Sequence, residues 1–226
     1  MNLKGRIIRR FVMAKKTLGV NPWTHIWVKP RETIKSIVKF NPKFRFAILS
    51  FLYGLPMLLH TAQNLDLGEQ FTTAGIVVVA IVLATFVGML ALTIASGLIY
   101  WTGQWIGGKS NYINVRAAVS WSNVPNIVTI IVWLLLIYNF RDQIFYDGFD
   151  EMAMSTQATM ILNIGMIIES VVAIWSFVIL VKTIGEVQGF SAWKGVLNVL
   201  IPFFMVGIAI YLISWLFWIG NGMPGA

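Results

Sequence analysis

Five long apolar runs constrain this chain more than any other feature of its sequence. They cover about residues 46–64, 74–106, 122–140, 158–181 and 195–219. A helix needs about 20 apolar residues to cross the ~30 Å hydrocarbon core of a bilayer, and each run comes close to or exceeds that length. Apolar residues make up 58% of the 226 residues and charged residues only 12%, so a water-soluble fold could not cover the apolar surface. The sequence therefore predicts an all-α integral membrane bundle of five transmembrane helices.

The charge distribution predicts two parts, a basic cytosolic segment at residues 1–45 and a five-span domain at residues 46–226. Of the 17 Lys and Arg, 12 lie in the first part, where only Glu32 opposes them. Residues 3–18 and 30–40 are expected to form amphipathic helices at the membrane interface. Because the basic segment runs directly into the first apolar run, it is predicted to bind the bilayer and its anionic lipid headgroups, not nucleic acid.

The second apolar run is too long for a simple crossing. As one helix it would extend for ~50 Å, so it is either a single protruding helix or two crossings. One crossing places every Lys and Arg except Arg141 on the cytosolic side, whereas two crossings leave Lys182 and Lys194 outside. Basic residues favour the cytosolic side of a membrane. The sequence therefore predicts five spans in the cell membrane, with a cytoplasmic N-terminus.

Residues suited to catalysis or metal binding are scarce. The chain has no cysteine and only two histidines, His25 and His60. This composition excludes disulfides, thiol catalysis and iron–sulfur ligation. Neither a nucleophile–base pair nor a metal-ligand cluster can be recognised. The sequence therefore predicts a protein that is not an enzyme and that uses no cofactor and no metal.

The segment from Gly103 to Ser110 matches the phosphate-binding pattern G-x-x-x-x-G-K-[ST] letter for letter. A functional phosphate loop follows a buried strand and opens a helix, so that its backbone N–H groups can surround the phosphate. Here the segment ends a long apolar run instead. It is predicted to be a glycine-rich helix end with Lys109 at the headgroups, and no nucleotide is expected as a partner.

Glu169 is the only acidic residue deep within a predicted span. A charged group there costs from about 2.5 to over 10 kcal/mol, so such residues usually face the interior of a bundle. Gly165, Ala173 and Ser176 lie on the same predicted helix face. Two interpretations remain, a neutral acid that bridges two helices, which we favour, and a proton or cation site. His60 is expected to be a hydrogen-bonded residue near the outer interface.

A stripe of small residues runs along the second predicted span at a spacing of four, formed by Ala80, Ala84 and Gly88. Small residues let helix backbones approach closely in a bilayer, where the hydrophobic effect does not drive helices together. The stripe is expected to pack against another helix of the same chain.

Several short motifs on the predicted cytosolic side occur in a fixed order. They are Asn21-Pro22-Trp23, Ile26-Trp27, Pro30-Arg31-Glu32-Thr33, Gly107-Gly108-Lys109, the segment from Arg116 to Pro125, and Val187-Gln188-Gly189-Phe190-Ser191 with Lys194. Together they resemble the Yip1-domain family of multi-span membrane proteins, and its bacterial branch in particular. The resemblance covers about residues 21–200.

The resemblance implies five spans, a cytosolic N-terminus and, for a bacterial member, the inner membrane. Eukaryotic members are linked to Rab GTPases and to traffic between the endoplasmic reticulum and the Golgi. Their Asp-Leu-Tyr-Gly-Pro motif is absent from this sequence, so the resemblance does not imply Rab binding here.

The predicted function is a membrane-organising or partner-binding role through the basic cytosolic face, with a protein partner as one candidate ligand. The alternative is a small-solute or ion transporter or channel that uses the intramembrane carboxyl. The candidate functional residues are Pro30, Arg31, Lys109, Arg116 and Pro125 on the cytosolic side, and Gly165 and Glu169 within the fourth span.

Overall fold

The computed structural model describes residues 18–146 and 155–220, and these residues fold as the predicted all-α bundle. The predicted helix at 3–18 lies outside the described residues except for Leu18. Short 3-10 turns cover Leu67–Glu69 and Arg141–Phe145. The α-helices of the described part are α1 Pro22–Val28, α2 Pro30–Phe40, α3 Phe46–Asn64, α4 Thr73–Trp105, α5 Tyr112–Trp121, α6 Asn126–Phe140, α7 Thr156–Gln188 and α8 Ala192–Gly220.

Five of these segments are long and apolar enough to cross a membrane, which confirms the predicted number of spans. They are α3, α4, α6 with the turn that follows it, α7 and α8. The second span is one uninterrupted helix of 33 residues, so it is not divided into two crossings. It begins where the Thr72 side chain accepts a hydrogen bond from the Gly75 N–H, an interaction that satisfies one of the free donors of a helix start.

The fourth span continues beyond its predicted end at residue 181 and closes at Gln188. The additional turns are polar by composition, yet Thr183, Ile184 and Gln188 are buried, because α2 and α5 pack against this part of α7. Gly189 ends the helix with a φ of 72°, a left-handed conformation that glycine adopts without steric strain. The sequence placed the end of this helix too early because protein, not lipid, covers its last turns.

The small-residue stripe of α4 packs against α3, as predicted. Ala80, Ala84 and Gly88 are buried, and the facing residues on α3 are Ser50 and Gly54. A Cβ atom on Gly54 would collide with the carbonyl of Ala84, and one on Gly88 would collide with the carbonyl of Ser50. The two backbones are therefore in direct contact, as small residues permit in membrane helices.

One end of the bundle carries a cap, formed by α1, α2, α5 and the loops that join them to the spans; we call it the basic cap. Ile26, Ile34, Ile37 and Trp121 are fully buried there. The helix predicted at residues 30–40 is present as α2. Its apolar stripe packs on α5 and α7, so the protein itself, and not lipid, covers that stripe.

The opposite end, which we call the acidic end, is formed by the two 3-10 turns and the α3–α4 loop. Gly68 packs against the backbone of Phe145. The backbone N–H and the hydroxyl of Thr73 both donate to Asp142 Oδ1, at 3.3 and 2.6 Å. This carboxylate therefore joins the start of α4 to the end of α6. Arg141 lies here, and every other described Lys and Arg belongs to the basic-cap end.

Candidate functional site

Prolines and an asparagine set the path of the chain through the basic cap. The Asn21 side chain caps α1 by accepting from the Trp23 N–H at 3.1 Å. Pro22 and Pro30 each occupy the first turn of a helix, where a missing N–H does no harm. Pro30 is buried. It therefore starts α2 and does not belong to an exposed binding surface.

The charged face of α2 points away from the protein because the opposite face is buried. Lys29, Arg31, Lys35 and Lys39 are exposed. Lys35 Nζ lies 3.5 Å from Glu186 Oε1 at the end of α7. That ion pair adds to the packing that orients α2, and Lys29 lies 3.6 Å from Glu32. Arg31 and Lys39 form no ion pair with the described residues, so they stay available to anionic groups in solution or in a membrane.

Two other arginines of the cap lie over aromatic rings of the protein itself. The guanidinium of Arg116 is 4.3 Å from the centre of the Phe46 ring, and that of Arg45 is 5.2 Å from the Phe44 ring. Such cation–π contacts contribute about 0.5–2 kcal/mol, depending on exposure. Arg116 therefore holds α5 against the start of α3, which is a structural role within the cap.

The phosphate-loop match lies between α4 and α5, where its backbone donors already have partners. The Gly108 N–H donates to the Gly103 carbonyl at 2.8 Å, and the Lys109 N–H donates to the Gln188 carbonyl at 3.3 Å. The Ser110 N–H donates to Gln188 Oε1 at 3.2 Å. Two of the N–H groups that would surround a phosphate thus bind Gln188 at the end of α7, and the third binds the last turn of α4. Lys109 itself is exposed.

A buried polar layer behind this loop was not recognised from the sequence. The Asn198 amide on α8 donates to the Ile99 carbonyl at 2.8 Å and to Thr102 Oγ1 at 3.0 Å. Gln188 and Asn198 are almost completely buried. The available signal was a carboxamide within or just beyond an apolar run, since an amide there needs partners from neighbouring helices.

Pro125, the last candidate residue of the cap, is also buried and occupies the N-cap position of α6.

Glu169 has a partner that the sequence did not reveal. Its Oε1 atom lies 3.6 Å from Nε2 of His60 on α3, and Nε1 of Trp133 on α6 donates to the same Nε2 at 3.3 Å. Gly165, one helical turn earlier, packs against Val132 of α6. Among the described residues, no group of three or more His, Cys, Asp or Glu could hold a metal ion.

The remaining residues predicted to share the face of Glu169 are less uniform. The Ser176 hydroxyl oxygen is buried, but Ala173 is exposed. The face towards the bundle is therefore narrower than the helical spacing suggested.

The predicted functional residues thus fall into two separate places. Five of them belong to the basic cap, namely Pro30, Arg31, Lys109, Arg116 and Pro125. Gly165 and Glu169 lie where α7 meets α3 and α6. Glu169 and Glu186 are 17 residues apart on α7, a separation of ~26 Å along a helix.

The family model described as Yip1 domain matches residues 24–216. The match covers the described basic cap from α1 onwards and reaches into the last span. The comparisons with curated proteins and with solved structures give no match.

Proposed function

The chain belongs to the Yip1 domain family, and we propose that it is a non-enzymatic multi-pass protein that organises the membrane or binds a partner through its basic cap. The family is not known as enzymatic. The observation that carries the proposal is the separation of charge: every described Lys and Arg except Arg141 belongs to the end that bears the cap.

The construction of the cap supports binding of an anionic surface. The apolar face of α2 is already buried within the protein, so the cations on α2 are held on a preformed helix and little ordering is needed on binding. Each Lys or Arg near an anionic leaflet contributes about 1 kcal/mol. We propose anionic lipid headgroups as the primary ligand and an acidic protein surface as the other partner that this charge fits.

The same asymmetry supports an orientation with the cap and the N-terminus in the cytoplasm, and the resemblance to the bacterial branch of the family leads us to propose a bacterial inner membrane. Single cysteines at Ser110 and Gln143 test it, because the natural chain has none. Both positions are at least partly exposed and belong to opposite ends. An impermeant thiol reagent added to intact cells should label position 143 and spare position 110. The reverse labelling would overturn the proposed orientation.

Lipid binding is tested with the whole protein in neutral detergent micelles to which anionic lipid is added. A variant with Lys29, Arg31 and Lys39 changed to Gln should bind fewer anionic lipids by native mass spectrometry. At about 1 kcal/mol per charge its affinity should fall up to ~100-fold. Arg141→Gln is the matched control at the other end and should leave binding unchanged.

Two further measurements bear on the electrostatic part of this proposal. Binding of anionic lipid should weaken as salt rises, because the Debye length falls from ~10 Å at 0.1 M to ~3 Å at 1 M. Equal binding of neutral and anionic lipid, or equal loss in the Arg141→Gln control, would contradict the role of the cap.

Transport of protons or cations through Glu169 is the second candidate function, favoured by one observation, the contact between Glu169 and His60. If this function holds, the unmodified protein should carry protons or cations into liposomes, and this flux should vanish in a folded Glu169→Gln variant, because an amide cannot titrate. We expect no flux even with the unmodified protein, since the described residues around the pair offer no third acidic or histidine ligand.

A further inference from the structure

One ring nitrogen of His60 is within reach of two side chains from two different spans. The Trp133 N–H on α6 points at His60 Nε2 across 3.3 Å, and the two rings are perpendicular, with centroids 4.9 Å apart. Glu169 Oε1 on α7 approaches the same Nε2 to 3.6 Å. An imidazole nitrogen carries either a lone pair or a hydrogen. It can accept from Trp133 or share a hydrogen with Glu169, but not both.

We propose that His60, Glu169 and Trp133 form a one-proton switch in which a proton held between His60 and Glu169 displaces the Trp133 N–H. In the state without this proton, the Nε2 lone pair accepts from Trp133. Glu169 Oε1 then has no hydrogen-bond partner among the described residues, and this is the arrangement observed.

The state with the proton differs by a single hydrogen taken from water. That hydrogen lies between Nε2 and Oε1, bonded to the nitrogen as an ion pair or to the oxygen as a neutral acid. In both cases the Nε2 lone pair is used, so the indole N–H must leave. The Trp133 hydrogen bond is therefore lost whichever of the two atoms holds the proton. His60 of α3 then shares a hydrogen with Glu169 of α7 in place of its bond to Trp133 of α6.

The position of the pair suits exchange of a proton with the acidic end. His60 is four residues before the end of α3 at Asn64, which is ~6 Å along the helix. Its side chain is 44% exposed and that of Glu169 is 22% exposed. The Glu169 Oε1 atom itself is buried, so the proton would reach the pair from the side of His60.

Few other titratable groups face this pair within the described residues. Helices α3, α4 and α6 contain no Asp, Glu, Lys or Arg. On α7 the other charges are Lys182 and Glu186, which belong to the basic-cap end. The remaining titratable groups of these elements and of the described acidic end are Tyr53, Asp66, Glu69, Tyr100, Tyr138, Arg141, Asp142 and Tyr146.

The switch can be observed by NMR in the full chain with His25→Gln, which leaves His60 as the only imidazole. Histidine and tryptophan are labelled with ¹⁵N, and a Trp133→Phe variant identifies the indole signal of Trp133. On titration from about pH 8 to pH 4, across the usual range of an imidazole, the Trp133 N–H resonance should move from its bonded to its free position. The imidazole ¹⁵N signals should change with the same midpoint.

Two variants separate a switch from a general effect of acid. His60→Gln retains an acceptor that does not titrate, so the pH response of Trp133 should be lost. In Glu169→Gln the proton loses the carboxylate that shares it, so the Trp133 bond should survive at acidities that break it in the parent chain.

Three results would overturn the proposal, and the first two would be seen in the His25→Gln chain itself. The Trp133 resonance could stay fixed while the imidazole changes, or neither signal could change over the titration. The Trp133 resonance could also move equally in the His60→Gln variant.

Discussion

The α3–α4 pair and the outer part of α8 are two opposite solutions to packing in a membrane. Between α3 and α4, glycine, serine and alanine bring the backbones into contact. Helix α8 instead packs on α7 through Gly195 and on α4 through Asn198, both within its first two turns. From Phe203 to Leu216, every residue of α8 is exposed.

The difference shows which feature of an apolar helix determines its packing. Helices α4 and α8 are both strongly apolar, so hydrophobicity does not distinguish them. Lipid tails are as apolar as leucine, so only close contacts and hydrogen bonds favour protein over lipid. Helix α4 has a continuous small-residue stripe that allows such contacts, whereas the small residues of the outer part of α8, Gly207, Ala209 and Ser214, form no such stripe.

The largest expected effect is that of removing a buried leucine from the tight pair. Leu92 on α4 is 1% exposed and Leu212 on α8 is 48% exposed. Leu92→Ala should lower the free energy of unfolding by about 2–5 kcal/mol because it leaves a cavity. Leu212→Ala should change it far less, because lipid fills the space. Unfolding in mixed micelles, followed by circular dichroism, compares the two. Equal losses would mean that α8 has a protein partner.

A smaller effect is expected from one methyl group added within the α3–α4 contact. Gly88→Ala places a Cβ in collision with the Ser50 carbonyl. A Cβ added at Gly97, on the same helix, would have no atom within 4 Å. Gly88→Ala should cost about 1–3 kcal/mol through overpacking. Gly97→Ala should be neutral or stabilise by up to ~1 kcal/mol through helix propensity. Thermal unfolding of the two variants tests this, and a stable Gly88→Ala protein would refute direct backbone contact.

The smallest effect concerns Arg141, which joins α6 to the turn that carries Asp142. Its φ of 48° and ψ of −123° are strained for any residue with a Cβ. Arg141→Gly should therefore stabilise the protein by about 1 kcal/mol. Arg141→Ala removes the same charge but keeps the strain, so it should give no such gain. Equal melting temperatures of the Gly and Ala variants would contradict the presence of strain.

The spans could be predicted from the sequence because length and hydropathy alone identify them. The first predicted run coincides with α3, and the second differs from α4 by one residue at each end. The third predicted run begins at residue 122, whereas α6 begins at Asn126 after its N-cap Pro125. The prediction failed where protein replaces lipid as the covering layer, as in the last turns of α7, because composition does not show what covers a surface.

Contacts between spans could be predicted only in part. Glu169 stood out as an isolated carboxyl, but its partner His60 is 109 positions earlier in the chain. Which residues meet depends on the rotation of each helix about its axis, and small differences in packing determine that rotation. The small-residue stripe was an exception, because its own spacing indicates the face that must be in contact.

Helix α7 joins the basic cap to the His60–Glu169 pair as one rigid rod. It runs without interruption from Thr156 to Gln188, with Glu186 bound to Lys35 near one end and Glu169 beside His60 towards the other. A displacement of this rod along its axis at either contact is a displacement at both. If the proposed proton switch depends on the position of α7, thermodynamic linkage requires that a ligand of the cap that shifts α7 alters proton binding at the pair, and that the proton alters the affinity for that ligand by the same factor.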